Sequence, residues 1–365
     1  MNLRDATPDE LEDWDSRTVD APGGHVYQSR AWAAHREASG WRPRFLVDDA
    51  GSRALALTRR WPLVGGGSAY VPRGPGPVEG DAAGLAARLV AIADHLAADG
   101  IDVVAADPEV PDAATAFRAL IETAGFHQIE EIQPSRHRIS LPLTGRTEDD
   151  VFAGISKSTR QRIRKAEETV EFVARYDARV GADGPGDGFT TLDQGSEVAL
   201  DRFYDLLLQT GERLHFTFGP RESFVAWWQA ALEAGHLVYL EAWGVRGDPI
   251  AGLILYRHGG RLSTVHSGDD PEEREETPGA MHLLRWRAIQ LAIRERSREM
   301  DLGGVDVAGS RSEPHEGDPL YGLYQHKQSF GGQWLALTGA HERVFDPRGY
   351  QIGRLASRAT RVIGR

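Results

Sequence analysis

The chain contains no cysteine, which excludes disulfides, thiolate zinc sites and a thiol nucleophile. It has no apolar run near the roughly 18 residues of a membrane span. Its opening stretch, MNLRDATPDELEDW, is acidic and lacks the apolar core of a secretory leader, so a cytoplasmic setting is expected. Positive charge is in deficit: 42 Lys and Arg stand against 54 Asp and Glu, a formal charge of -12. A polyanionic partner must therefore be met by a local basic patch and not by the global field. Lysine is almost missing, with Lys157, Lys165 and Lys327 the only three among the basic residues. Where arginine has replaced lysine nearly everywhere, a retained lysine suggests a need for a compact ammonium that a planar guanidinium cannot meet.

What is present is an ordinary globular composition, 41% hydrophobic and 26% charged, in 365 residues. That length exceeds what one core usually organises, so two domains are expected. Thr7-Pro8-Asp9-Glu10 reads as a capped helix start. In HVYQSRAWAAHREASGW, Trp32 and Arg36 share one helical face before Gly40. Strands are expected at PRFLVDD and RALALTRR, and then GGGSAYVPRGPGPVEG reads as a rigid loop. Its prolines lack the amides that a phosphate cradle needs. A helix over Ala82 to Asp99 leads into the buried strand IDVVAAD, whose end carries Asp107. Ligands gather at such strand ends in open α/β sheets, but an aspartate there can equally cap the helix that follows. A helix over Ala113 to Ala124 and the strands FHQIEEI and HRISLPL complete a first α/β domain ending near residue 145.

The second half opens on TEDDVFAGISKSTRQRIRKAEETV. Lys157, Arg160, Arg162, Arg164 and Lys165 form the local basic patch, to be read as a phosphate- or RNA-contacting surface or as a solvated helix face. Helices over Asp201 to Arg213 and Ser223 to Ala234 place Arg213 and Arg221 on either side of LHFTFGP. Trp227 and Trp228 fit core packing better than base stacking. Three strands, a helix over Pro278 to Glu299 and MDLGGVD then repeat the order of elements of the first half. The segment Asp318 to Phe330 reads as a short helix closed by Gly331, where Lys327 serves either chemistry or the helix carbonyls. His282, His315 and His326 lack metal-ligand spacing, and no metal is expected.

In succession, QSRAWAAHREASGW, YVPRGPGP, the Asp107-Pro108 strand end, KSTRQRIRKA, the strand trio, MDLGG and HKQSFGGQW resemble the Fem family of peptidoglycan bridge-forming aminoacyltransferases, over nearly the whole chain. The resemblance implies an α/β (α+β, mixed-sheet) fold of two acetyltransferase-like (GNAT) domains, the second inserted into the first. Residues 1–145 with 312–365 would form one and 146–311 the other. It implies transfer of an amino acid from aminoacyl-tRNA to an amine of a peptidoglycan precursor, nucleotide- or lipid-linked, with no metal or organic cofactor. A lipid-linked acceptor would bring peripheral contact with the inner membrane surface. Lys327 matches the lysine near the reacting ester and Asp107 an acidic position near the acceptor. Arg36 and Arg221 match basic residues that contact the precursor, and Trp32, Arg73 and Arg213 join them as substrate-binding candidates. His326 stands where the family usually has phenylalanine, which opens an acid-base role for it. Two rivals remain: an N-acyltransferase using acyl-CoA, and a non-catalytic binding protein. For the former, REETPGAMHLL offers only Gly279 and sets Pro278 where an amide is wanted.

Overall fold

The computed structural model describes residues 1–76, 81–179, 188–192, 195–214, 219–270 and 277–363, with the side chains of 212–214 and 358–363 outside the description. The chain divides into two compact units, Met1–His137 with Ala308–Ser312 and Leu335–Arg365, and Arg138–Val307 with Glu313–Trp334.

The first unit contains β1 (Leu3–Asp5), α1 (Pro8–Glu12), α2 (Trp14–Thr18), α3 (Arg30–Ala38), β2 (Arg42–Asp48), β3 (Arg53–Arg60), β4 (Gly67–Val71), α4 (Ala82–Ala98), β5 (Val103–Ala106), α5 (Thr115–Thr123) and β6 (His127–Gln128). The second contains β7 (Arg138–Pro142), α6 (Glu148–Gly154), α7 (Lys157–Thr169), β8 (Phe172–Tyr176), α8 (Ser196–Leu214), α9 (Arg221–Glu233), β9 (Leu237–Trp243), β10 (Pro249–His258), β11 (Arg261–Asp269), α10 (Ala280–Arg294), β12 (Glu299–Asp301) and α11 (Tyr321–Gln328). Then follow β13 (Gln333–Leu335), β14 (His341–Val344) and α12 (Pro347–Ile363).

The first sheet runs β1-β2-β3-β4-β5-β14-β6. Its first four strands form an antiparallel meander, and α4 crosses over to set β5 parallel to β4, with Ser68 opposite Val103. The second sheet, β13-β7-β12-β11-β10-β9-β8, repeats that plan. There β8 to β11 form the meander and α10 crosses over to set β12 parallel to β11. In both, the strand beyond the crossover product comes from a distant segment: β14 pairs with β5 and β7 with β12.

Local signals explain the elements. Thr7 and Glu10 form the expected capping box, worth about 0.5–2 kcal/mol at a helix start. The crossover helix α4 buries Leu85, Leu89, Ile92 and Leu96 at helical spacing against β4 and β5. In the second unit α10 is buried on most sides, with Leu283, Leu284, Trp286 and Ile289 in a core shared with β7, β10 and β12.

Two expectations are corrected. Gly67–Val71, read as part of a rigid loop, is a strand, because its alternating small and apolar residues pair with both β3 and β5. The unit boundaries differ from 145 and 312. Residues 138–142 join the second sheet through β12, and Tyr324 and Phe330 are buried in the second unit's core. Lys327 therefore belongs to the second unit and not to the first.

Candidate functional site

Each unit places charged side chains at the end of its crossover strand. In the second unit, β12 runs into Leu302-Gly303-Gly304, and α11 lays Lys327 against that turn. Lys327 is 6% exposed, and its Nζ donates to the Gly304 carbonyl at 3.2 Å. Gly303 has a left-handed φ of 81°, and a Cβ there would stand 2.9 Å from the lysine nitrogen. Glycine is thus required both by the turn and by the ammonium. Burial is the main cause that brings Lys327 down from the ordinary 10.5 to about 7; the Arg285 cation adds to it and Asp301 opposes it.

Arg285 is the residue the sequence reading missed. It projects from apolar α10, is 2% exposed, and is itself pushed down to about 10 by burial. Its Nε donates to His326 Nε2 at 2.9 Å, while its Nη1 is buried with no hydrogen-bond partner. Since a guanidinium only donates, His326 Nε2 must accept, which leaves the His326 proton on Nδ1. That Nδ1 lies 3.2 Å from His282 Nε2, and the two rings meet edge to face at 4.4 Å. Arg162 Nη1 lies 3.4 Å from the same His282 nitrogen. The histidines that look scattered in sequence are therefore adjacent. A line of contacts runs from Arg162 on the basic helix through His282 and His326 to Arg285. Burial and the surrounding cations push His326 down to about 2, so it is neutral throughout the physiological range. Its geometry is that of an acceptor holding Arg285, and not that of the acid-base group raised from the sequence. A metal ion is opposed by the same cations. The only signal that could have found Arg285 is a charge within LLRWRAIQLAI, an otherwise apolar helix face.

In the first unit Asp107 follows β5. It does not cap a helix: its carboxylate is fully buried, with Oδ1 accepting from Tyr70 Oη at 2.9 Å and from the Arg73 backbone N–H at 2.8 Å. Its Oδ2 accepts no hydrogen bond and lies 3.6 Å from Arg73 Nε. Burial outweighs these partners and raises the Asp107 carboxyl to about 6. Gln133 donates to Tyr70 Oη at 3.0 Å, and burial lifts the Tyr27 phenol to about 12. Trp32 stacks on Tyr27 at 4.2 Å, and Arg36 lies over Trp32 at 5.5 Å and Trp41 at 5.6 Å. Among the described residues no carboxylate pairs with Arg36, and burial lowers its affinity for its proton. Asp107, Arg73, Trp32 and Arg36 are thus brought together, joined by Tyr27, Tyr70 and Gln133, which sequence reasoning did not single out.

The remaining candidates separate from these groups. Arg221, at the start of α9, is engaged by Asp205 and by Asp201 at 3.1 Å and lies over the Tyr204 ring at 4.9 Å. These ion pairs are exposed and of little energetic weight. The Arg213 side chain lies outside the described residues. On α7 the buried face is Thr159, Ile163 and Ala166, so Lys157, Arg162, Arg164 and Lys165 are exposed. Arg160 instead donates to the Ala153 and Ile155 carbonyls, both at 2.7 Å, tying α7 to the end of α6. Lys165 reaches Glu168 at 3.7 Å, an exposed pair of little energetic weight. Trp227 and Trp228 are core residues, as expected.

With this geometry in hand, the whole backbone can be compared with solved structures. The crystal structure of FemX superposes with a TM-score of 0.77 at 16% identity, covering 96% of this chain and 99% of FemX. The fold is that of FemX. Two further structures align over nearly their full length: a conserved protein of unknown function from Bacteroides thetaiotaomicron and L-PGS from Bacillus licheniformis. They give TM-scores of 0.55 and 0.50, each at 14% identity, covering 94% and 99% of this chain and 98% of both of those chains. Residues 156–327 match the acetyltransferase (GNAT) domain family. That match starts at the N-cap of α7 and ends on Lys327. A search of curated protein sequences returns no match. The chain thus has the α/β architecture of two GNAT-like domains expected from its likeness to the Fem proteins. Among the described residues no helix is long and apolar enough to cross a membrane.

Proposed function

We propose that the protein is an aminoacyltransferase of the Fem type. It moves an amino acid from aminoacyl-tRNA to an amine of a peptidoglycan precursor stem peptide or a related small acceptor. The observation that carries this reading is Lys327: a buried ammonium with one long carbonyl contact, in a chain sharing the FemX fold from end to end.

Aminolysis forms a bond from the amine nitrogen to the ester carbonyl carbon and breaks the ester C–O bond. The proton lost by the amine ends on the released ribose hydroxyl. Negative charge develops on the carbonyl oxygen in between, and an ammonium in a dry setting stabilises it far more than it does the neutral ester. Lys327 supplies that ammonium, with Arg285 Nη1 as a second unsatisfied donor. In the first unit, Asp107 offers a buried carboxylate for the acceptor's ammonium, its Oδ2 free of hydrogen bonds although 3.6 Å from Arg73 Nε, at a proton affinity suited to accepting a proton. Arg36, which no carboxylate pairs with among the described residues, takes an anionic group of the acceptor.

The test is transfer from a total charged-tRNA pool to candidate precursors, read by mass spectrometry. Product that disappears in Lys327→Met while the protein keeps its fold supports the reading. Acetyl transfer from acetyl-CoA in place of aminoacyl transfer would assign the acyl-CoA alternative, and full activity in Lys327→Met would remove the lysine from the chemistry.

A further inference from the structure

The C-terminal helix α12 is built the wrong way round for a surface helix of a globular domain. At 100° per residue, Gly349, Tyr350 and Gly353 lie on one side, and Arg348, Ile352 and Leu355 on the other. The glycine side is the packed one. A Cβ at Gly353 would stand 2.3 Å from the Trp61 ring, and one at Gly349 would stand 2.8 Å from Asp346 Oδ2 and 2.9 Å from Asp102 Oδ2. Tyr350 stacks on Trp61 at 6.2 Å. The large apolar residues are left outside, with Ile352 52% and Leu355 64% exposed. Folding within a domain does the reverse.

A second apolar projection stands beside the first. Trp61, which seats the helix, opens the turn after β3, and that turn presents Leu63 at 95% and Val64 at 37% exposure. Leu63 has a left-handed φ of 66°, an unfavourable conformation for a residue with a side chain. The chemistry of the surroundings selects the occupant. From 347 to 365 the sequence has arginine at 348, 354, 358, 361 and 365 and neither Asp nor Glu, in a chain whose formal charge is -12. Exposed Ile352 and Leu355, with the exposed Arg348 and Arg354 on the same helix, match the acyl boundary and anionic headgroups of a lipid surface.

We propose that α12, with the Trp61 to Gly66 turn beside it, is a docking surface for an anionic phospholipid membrane. It lies in the interface and does not span it. This surface is independent of the transfer chemistry: none of its residues belongs to the Lys327 or Asp107 groups.

Flotation of the full-length protein with phosphatidylcholine vesicles, with and without phosphatidylglycerol, tests it. The protein is expected to float with the anionic vesicles only, and less as salt rises. Ile352→Glu with Leu355→Glu, and separately Arg348→Glu with Arg354→Glu, should each weaken binding by at least about tenfold, since each removes two buried apolar or two cationic contacts. Leu63→Glu at the turn tip gives a variant with no packing to lose, whose melting midpoint should not move. Equal flotation with neutral vesicles overturns the proposal, as does undiminished binding by all three variants. A dimer in sedimentation velocity that Ile352→Glu dissolves would assign the face to a second copy of this chain and overturn it equally.

Discussion

In the first unit, the strand after the crossover helix ends on a buried carboxylate, Asp107; in the second, the equivalent strand ends on a glycine turn packed against a buried ammonium, Lys327. The two sheets share one plan, so the difference lies in side chains and not in topology. Burial acts on the two groups in opposite directions. It raises the carboxyl to about 6 and lowers the ammonium to about 7, and both arrive near neutrality from far apart. Asp107 is kept mostly ionised by Arg73 and two hydrogen bonds, whereas Lys327 has a second cation, Arg285, as its neighbour. Burial works against charge at both positions; Arg73 offsets it at Asp107, while Arg285 adds to it at Lys327.

Removing the lysine should have the largest effect. Lys327→Met is expected to lower kcat for aminoacyl transfer by about 10²–10³, the usual loss for one oxyanion donor, with little change in acceptor KM. A loss confined to KM would move Lys327 out of the chemistry and into binding. Asp107→Asn should cost about 10²-fold, the lower range for a positioned proton acceptor. In the native protein, activity should fall as pH drops through about 6, where Asp107 takes up its proton. That acid limb should be missing from the residual activity of the asparagine variant, and its survival there would assign it to another group.

Arg285→Gln sharpens the comparison from the other side. Taking away the neighbouring cation raises the Lys327 pKa, so the ammonium persists to higher pH. The alkaline loss of activity, expected near pH 7, should move upward, with a change of a few fold at neutral pH. His326→Phe, which frees Arg285 without removing it, should act in the same assay more weakly. An unmoved alkaline limb in Arg285→Gln would show that the guanidinium does not set the lysine's charge.

Much of the frame was legible in the residues. The capping box, the crossover helices and the strand end at Asp107 follow from local spacing, and the rarity of lysine singled out Lys327 without any structure. What could not be read depends on contacts far apart in sequence. Arg285 and His326 are separated by 41 residues, and only the packing of α10 beside α11 makes them a pair. The pairing of Arg221 with Asp201 and Asp205 was not legible because those residues sit on a neighbouring helix and not at helical spacing from it. The unit boundary was misplaced for the same kind of reason: HRISLPL alternates as any strand would, and nothing in it says that its partner is Glu299–Asp301. The helix α12 was never read as a surface because only its packing on Trp61 shows which side faces outward.

Stability gives a smaller but independent reading. A lysine with a lowered native pKa binds fewer protons folded than unfolded between pH 7 and 10.5, so it destabilises most below 7 and the penalty fades as pH rises through that window. Thermal unfolding should show a rising contribution across this range that Lys327→Met removes. The variant should also be more stable than the native protein at pH 6. A stability difference between the variant and the native protein that is the same at pH 6 and above pH 10.5 would mean that the lysine is not buried as a strained cation.

The most direct measurement uses the scarcity of lysine itself. With only Lys157, Lys165 and Lys327 in the chain, selective ¹³Cε-lysine labelling gives three NMR resonances to follow against pH, and Lys327→Met identifies one of them. The account predicts that this resonance titrates near pH 7. A Lys327 resonance that titrates at the ordinary value near 10.5 would contradict it.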